Sequence, residues 1–237
     1  MICKHDWKDI KTICCNHKQC SVCGVIKKVG ICDYHKPKTN TYEDKEYYMR
    51  KDLKLFVDCI PMNGNNCASY QQNFVKMKVD FPERNTSVLE IGAGTGKIVP
   101  LFLKKGCDYE AIEVGDWTSK YLSGCFGVTV HHLKFEDFVS TKKYDNVVCI
   151  HTLEHFADAD LMFEKIVNLT KDNGKIFIEI PNQEDLYNPD HYWFMSADTI
   201  RNWAKLNGLK ELGFLVKRVN SREDFMYFIF EKKGGLF

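Results

Sequence analysis

The sequence predicts an α/β protein: a doubly wound, mostly parallel sheet with a C-terminal antiparallel hairpin, preceded by a small Cys/His-rich module. Three observations predict it. From residue 86 onward, short apolar runs alternate with amphipathic stretches. The last two apolar runs are separated only by a short polar turn, Asn220-Ser221-Arg222-Glu223. Six of the eleven cysteines, namely Cys3, Cys14, Cys15, Cys20, Cys23 and Cys32, fall at the very start.

Composition sets the outer limits. The 237 residues are 44% apolar, 13% aromatic and 27% charged, which suits a protein with a full core and excludes a disordered or collagen-like chain. With 33 Lys and Arg against 32 Asp and Glu, the net charge of +1 gives no general attraction to nucleic acid or anionic membrane. No run reaches the ~18 apolar residues of a membrane span. Lys4, Asp6, Lys8, Asp9 and Lys11 break any apolar leader, so no signal peptide and a cytoplasmic, reducing location are expected. There, clustered cysteines suggest metal rather than disulfides.

Residues 1–36 are read as a zinc-binding module. Such a segment holds too few large aliphatic residues to fold without a staple. Cys3-x-His5 and Cys20-x-x-Cys23-Gly24 form two short ligand pairs, and two converging pairs suit tetrahedral Zn²⁺. Cys14, Cys15, His17 and Cys32 compete as ligands. Residues 1–40 hold eight Lys against three Asp, so the module could touch RNA or an acidic partner, or cap a site.

Residues 37–80 are read as a helical linker: helical spacing over 42–60, a loop at 61–66 rich in turn residues, and a helix over 67–80. The main domain spans 81–237. Its expected buried strands are Ser87–Ile91, Tyr109–Val114, Val128–His131, Asp145–Ile150 and Lys175–Ile180, with helices near 97–105, 117–123 and 158–169. Leu212–Val219 and Phe225–Glu231 are too close in sequence for a parallel crossover and must pair antiparallel.

The sharpest local signal is Glu90-Ile91-Gly92-Ala93-Gly94-Thr95-Gly96-Lys97, where an apolar strand ends in glycines and a helix is expected to follow. Glycines let the backbone approach a ligand, and a helix start offers unpaired N–H groups. A phosphate-binding P-loop would need glycine at position 91, which is Ile, and Ser or Thr after Lys97, which is Ile98. The dinucleotide fingerprint would need glycine at Lys97.

What remains is acidic-x-Gly-x-Gly-x-Gly. Glu113 closes the second strand, His151-Thr152-Leu153-Glu154-His155 follows the fourth, and the fifth ends in Pro181-Asn182. Asp190-His191 and Ser196–Trp203 precede the hairpin. On these ordered motifs, residues 86–232 resemble the class I S-adenosylmethionine-dependent methyltransferases, which implies a Rossmann-like sheet and S-adenosylmethionine as cofactor. The resemblance implies cofactor contacts from Glu90, Gly92, Ala93, Gly94 and Gly96, from Glu113 and Val114 at the ribose, and from His151. Where many members carry an acidic residue for the adenine, Lys134 stands here, leaving Phe135 and Glu136 or Asp137 to meet the base.

The same resemblance puts the loop after the fourth strand beside the transferred methyl. His155, then His151, with His191, are therefore candidates for the catalytic base. Glu154, His155 and His191, with His151, also resemble the metal-binding set of the small-RNA 2′-O-methyltransferases. The expected acceptor is a small molecule or carrier-linked metabolite, methylated on O, N or C. The alternatives are metal-assisted RNA 2′-O-methylation and a SAM-binding adaptor without turnover. Acceptor identity and oligomeric state are not readable from the sequence.

Overall fold

The computed structural model describes residues 5–10, 17–21, 25–29, 65–182, 191–218 and 224–234. The helices expected at 42–60, and Cys3, Cys14, Cys15, Cys23 and Cys32, lie outside the described residues.

The elements are β1 (Trp7–Ile10), β2 (His17–Cys20), β3 (Ile26–Lys28), α1 (Asn65–Lys76), β4 (Ser87–Ile91), α2 (Val99–Lys104), β5 (Asp108–Ile112), α3 (Asp116–Phe126) and β6 (Thr129–His131). There follow β7 (Tyr144–Ile150), α4 (Ala159–Leu169), β8 (Thr170–Pro181), β9 (Trp193–Phe194), α5 (Ala197–Leu206), β10 (Leu209–Arg218) and β11 (Asp224–Lys232). Seven strands form one sheet in the order β10-β11-β8-β7-β4-β5-β6. The pairs among β4, β5, β6, β7 and β8 are parallel. β11 runs antiparallel to both β8 and β10, as the short polar turn between the last two strands requires.

The central strands read as continuous apolar runs because both their faces are buried, and their side chains alternate between two cores. Leu89, Ile91, Val147, Cys149, Ile176, Ile178 and Phe228 join one core, which α4 and α5 cover through Phe163, Ile166, Ile200 and Trp203. Val88, Ala111, Val148, Phe177, Tyr227 and Ile229 join the other, covered by α1, α2 and α3 through Phe74, Phe102 and Leu122. Buried positions on α4 recur at Ala159, Phe163, Ile166 and Val167, the spacing of one helical face. α5 starts where the Ser196 hydroxyl accepts the Thr199 N–H.

Several boundaries differ from the sequence reading. Asn65 and Asn66, expected in a loop, lie in α1, which ends at Lys76 rather than near 80. β5 stops at Ile112, so Glu113 stands just beyond the strand. The first helix after the glycines begins at Val99, not at Lys97. β8 starts at Thr170, five residues before the expected Lys175, and its register against β7 shifts between Tyr144 and Asn146.

The N-terminal segment adds a second, four-stranded sheet in the order β1-β2-β3-β9. Its last strand comes from the main domain, and Cys20 and Val25 are buried in the same core as Trp193 and Trp203. Strand order in the large sheet reverses between β4 and β7, which pair in parallel so that their C-terminal ends lie side by side. Such switch points are where open α/β sheets bind ligands.

Candidate active site

At the end of β4 the chain turns through Gly92, Gly94 and Gly96, with φ of +69°, +54° and +77°. Side chains rarely adopt that region, which explains the glycines. The Gly92 N–H donates to the Ile112 carbonyl at 2.9 Å, and the Gly96 N–H closes the turn onto Ala93 O at 2.9 Å. A Cβ on Gly92 would strike the Thr152 hydroxyl and lie 2.7 Å from its methyl. The turn after β7 is thus packed onto the turn after β4.

Glu113 joins that loop to the next one. One carboxylate oxygen accepts the Gly94 N–H at 2.7 Å, the other the Gly115 N–H at 2.9 Å. Charge-assisted bonds of this kind are roughly twice as strong as neutral ones. Each oxygen keeps a lone pair, so a vicinal diol can still be accepted there. Beneath the loop, Glu90 is buried and accepts the Tyr109 hydroxyl. Burial, then the neighbouring Glu113 and Glu179 carboxylates, push its carboxyl well above the usual range.

The segment after β7 gathers the histidines. His151 has φ of +46°, and its N–H donates to the Glu179 carbonyl at 2.9 Å. Its Nε2 lies 3.0 Å from Glu179 Oε1, its Nδ1 3.5 Å from Glu154 Oε1, and its ring 4.3 Å from that of Phe225. Burial opposes its charge, but Glu154 and Glu179 outweigh this and push the imidazole up to about 9. Glu154 is 1% exposed, and neither of its carboxylate oxygens receives a hydrogen bond. Burial raises the Glu154 pKa, yet His151, His155 and His191 hold it below the usual carboxylate value. The His155 and His191 rings meet edge to face at 4.9 Å. Ligand atoms of Glu154, His155 and His191 all lie within 4.8 Å of one another. Residues distant in sequence thus converge on one side of the glycine loop.

Residues 67–212 match a family model described as a methyltransferase domain, more than half of the chain. The chain belongs to this methyltransferase family. Over 129 residues it is 28% identical to a ubiquinone biosynthesis O-methyltransferase of Saccharophagus degradans, covering 52% of this chain and 52% of that protein. The chain therefore spans about half the length of that curated relative. Among solved structures it resembles Burkholderia thailandensis 1,6-didemethyltoxoflavin-N1-methyltransferase, solved with 1,6-didemethyltoxoflavin and S-adenosylhomocysteine. That TM-score is 0.60 at 13% identity, over 79% of this chain and 84% of that one. It also resembles an S-adenosylmethionine-dependent methyltransferase from Clostridium acetobutylicum, with TM-score 0.59 at 12% identity, over 80% and 99%. At such identities the structural likeness concerns the fold.

In this methyltransferase domain the remaining site candidates lie at the rim or below it. Val114 is exposed, and its carbonyl accepts His132 Nε2 at 3.0 Å. The Phe135 ring is buried, 5.7 Å from Phe156 and 4.8 Å from the Lys165 ammonium. Lys165 donates to the Phe135 and Glu136 carbonyls at 2.6 and 2.9 Å, pinning this turn, while the Glu136 side chain is exposed. Of the four zinc candidates Cys3, His5, Cys20 and Cys23, His5 and Cys20 are among the described residues. His5 Nε2 lies 3.2 Å from Asp160 Oδ2, and Cys20 is packed in the core. Among the described residues no helix is long and apolar enough to cross a membrane.

Sequence reasoning overlooked Thr152 as the wedge under Gly92, and overlooked Glu179. A signal for the latter was present: an acidic residue inside the apolar run Lys175–Pro181 must be buried and needs partners. Tyr70 of α1 and Tyr227 of β11 converge on the same carboxylate. Burial and Glu179 push both phenols up.

Proposed function

We propose that this chain transfers a methyl group from S-adenosylmethionine to an O, N or C atom of a small-molecule or carrier-linked acceptor. The observation that carries the reading is the Glu113 carboxylate bridging the Gly94 and Gly115 amides beside the glycine turn. The residues fit the cofactor: the turn leaves no room for a Cβ at Gly92, and Glu113 offers spare lone pairs for two ribose hydroxyls. When bound, S-adenosylmethionine supplies an electrophilic methyl for in-line displacement. The chain's part is to hold the acceptor in line and take up its proton. His151, kept protonated between two carboxylates, is a poor base and an effective neutraliser of Glu154 and Glu179. His155 and His191, ring against ring, are the imidazoles left to receive a proton, with His155 the first candidate. The names of the relatives, an O-methyltransferase and an N-methyltransferase of small molecules, support the acceptor class.

The test is calorimetric titration with S-adenosylmethionine, followed by incubation of the chain with the methyl-labelled cofactor and a fractionated cell extract. Binding with label in the small-molecule fraction is expected. No binding overturns the reading; binding without transfer into any fraction leaves the adaptor alternative, and label in RNA favours the RNA alternative.

A second reading is favoured by one observation. The buried oxygens of Glu154 receive no hydrogen bond, His151 Nδ1 stands 3.5 Å from one of them, and the carboxylate groups with His155 and His191 into a donor set suited to a divalent transition metal. Such an ion would polarise an acceptor hydroxyl and ease its deprotonation. Titration with Co²⁺ should develop a visible absorption component that Glu154→Gln removes, whatever bands the N-terminal cysteines add; identical Co²⁺ spectra of wild type and Glu154→Gln remove this reading. The N-terminal zinc proposal, with Cys3, His5, Cys20 and Cys23 as ligands, predicts about one zinc per chain in metal analysis.

A further inference from the structure

We infer that the N-terminal sheet is a positioning element of the pocket: β3 holds β9 against the Glu154 turn and thereby sets His191 opposite His155. The inference builds on the proposed acceptor-side role of these histidines.

β9 has two residues, and its strand partner is β3, with Ile26 opposite Phe194 and Lys27 opposite Trp193. So short a ladder is weak by itself, and the packing of Trp193 on Trp203 supplies the other part of its anchoring. Tyr192, the residue next to His191, is held from both sides. Its carbonyl accepts the Lys28 N–H at 2.8 Å, and its own N–H donates to the Glu154 carbonyl at 2.9 Å. One residue therefore links the N-terminal sheet, the Glu154 backbone and the His191 backbone.

Side chains reinforce the link on both flanks. The buried Trp193 indole donates to the Ala157 carbonyl at 3.1 Å. Its ring lies 5.9 Å from Trp7, and the Lys27 ammonium sits 4.7 Å above it. The same ammonium is 3.3 Å from Asp158 Oδ1, and His5 reaches Asp160 two residues further on. The N-terminal sheet thus grips both β9 and the segment that follows His155. On the other side of the strand, Phe194 lies 5.4 Å from His17 and 6.2 Å from His191. A displacement of β3 would pass through this short strand to the histidine pair, while the glycine turn and Glu113 are anchored by other residues.

The test uses the full chain with Lys28→Pro, which deletes the N–H that Tyr192 accepts. Hydrogen exchange at the Tyr192 and Phe194 amides should speed at least tenfold. The His155 and His191 ring signals should shift in spectra of histidine-labelled protein. S-adenosylmethionine affinity should stay within twofold, with unchanged exchange in β4 and β5. Wild-type ring signals and wild-type exchange in β9 would overturn the inference. If Lys28→Pro does not fold, Lys27→Ala decides: faster β9 exchange, restored by Lys27→Arg, supports the coupling, and unchanged exchange refutes it. Failure of the wild-type chain to bind S-adenosylmethionine would sink the proposed activity instead, and leaves the exchange result to judge this inference alone.

Discussion

Replacing Glu113 by Gln changes one atom of the site and puts a donor where an acceptor stood. The carboxylate now takes two backbone N–H groups, Gly94 at 2.7 Å and Gly115 at 2.9 Å. Glutamine keeps one carbonyl oxygen, so one of these N–H groups must face an amide NH₂. Glu113 is 4% exposed, and little water can step in. Leaving a buried donor unsatisfied costs about 1–3 kcal/mol, and the surviving bond loses its charge assistance. That cost falls on the unbound chain as well; affinity falls because glutamine also lacks the second oxygen that the proposed reading gives to a ribose hydroxyl, and losing about 1–3 kcal/mol there corresponds to roughly 5- to 150-fold. Titration calorimetry with S-adenosylmethionine and S-adenosylhomocysteine measures it, and thermal unfolding without ligand should fall by about 2–4 °C per kcal/mol lost. Equal affinity within twofold, with an unchanged unfolding temperature, would refute the reasoning that Glu113 orders the glycine turn and grips the cofactor.

Three further outcomes follow from the same geometry. Gly92→Ala places a side chain at φ +69° with its Cβ 2.7 Å from the Thr152 methyl, so cofactor affinity should fall at least about tenfold while β10 and β11 stay protected from exchange. Wild-type affinity would show that Thr152 gives way. His151, pushed up to about 9, should remain protonated through neutrality in a histidine titration followed by NMR. Its contribution to stability is complete below the ordinary imidazole pKa and is lost as pH rises through about 9; titration near the ordinary value would contradict the Glu154–His151–Glu179 arrangement. Burial opposes ionisation of Asp145, but the Ser87 hydroxyl, Lys171 and the Ser87 amide hold it at about 2. Its contribution is therefore present above the ordinary carboxylate pKa and lost as pH falls towards about 2. The unfolding temperatures of wild type and Asp145→Asn should converge over that range, and a constant gap would count against it.

The main strands were legible because each is buried on both faces, so Val88–Ile91 and Ile176–Ile180 could be found as apolar runs without knowing their neighbours. The glycine turn was legible for a related reason. Positive φ at three close positions admits few residues other than glycine, and that requirement is local. Glu113 was read as closing its strand and stands one residue past it.

The tertiary structure decided everything that depends on which distant segments meet. No local pattern says that Thr152 wedges beneath Gly92, or that Glu179 shares His151 with Glu154. Nor does one announce that a two-residue strand at Trp193 completes a sheet begun at Trp7. The sequence by itself determined the strands, the loop that needs glycine and the chemistry available in the histidines. Backbone conformation and burial act over a few residues and leave a readable period. Strand order and the sharing of buried carboxylates arise from contacts between separate segments, and the docking of the N-terminal sheet from contacts across more than a hundred positions, such as Ile26 with Phe194 and His5 with Asp160; only folding brings those groups together.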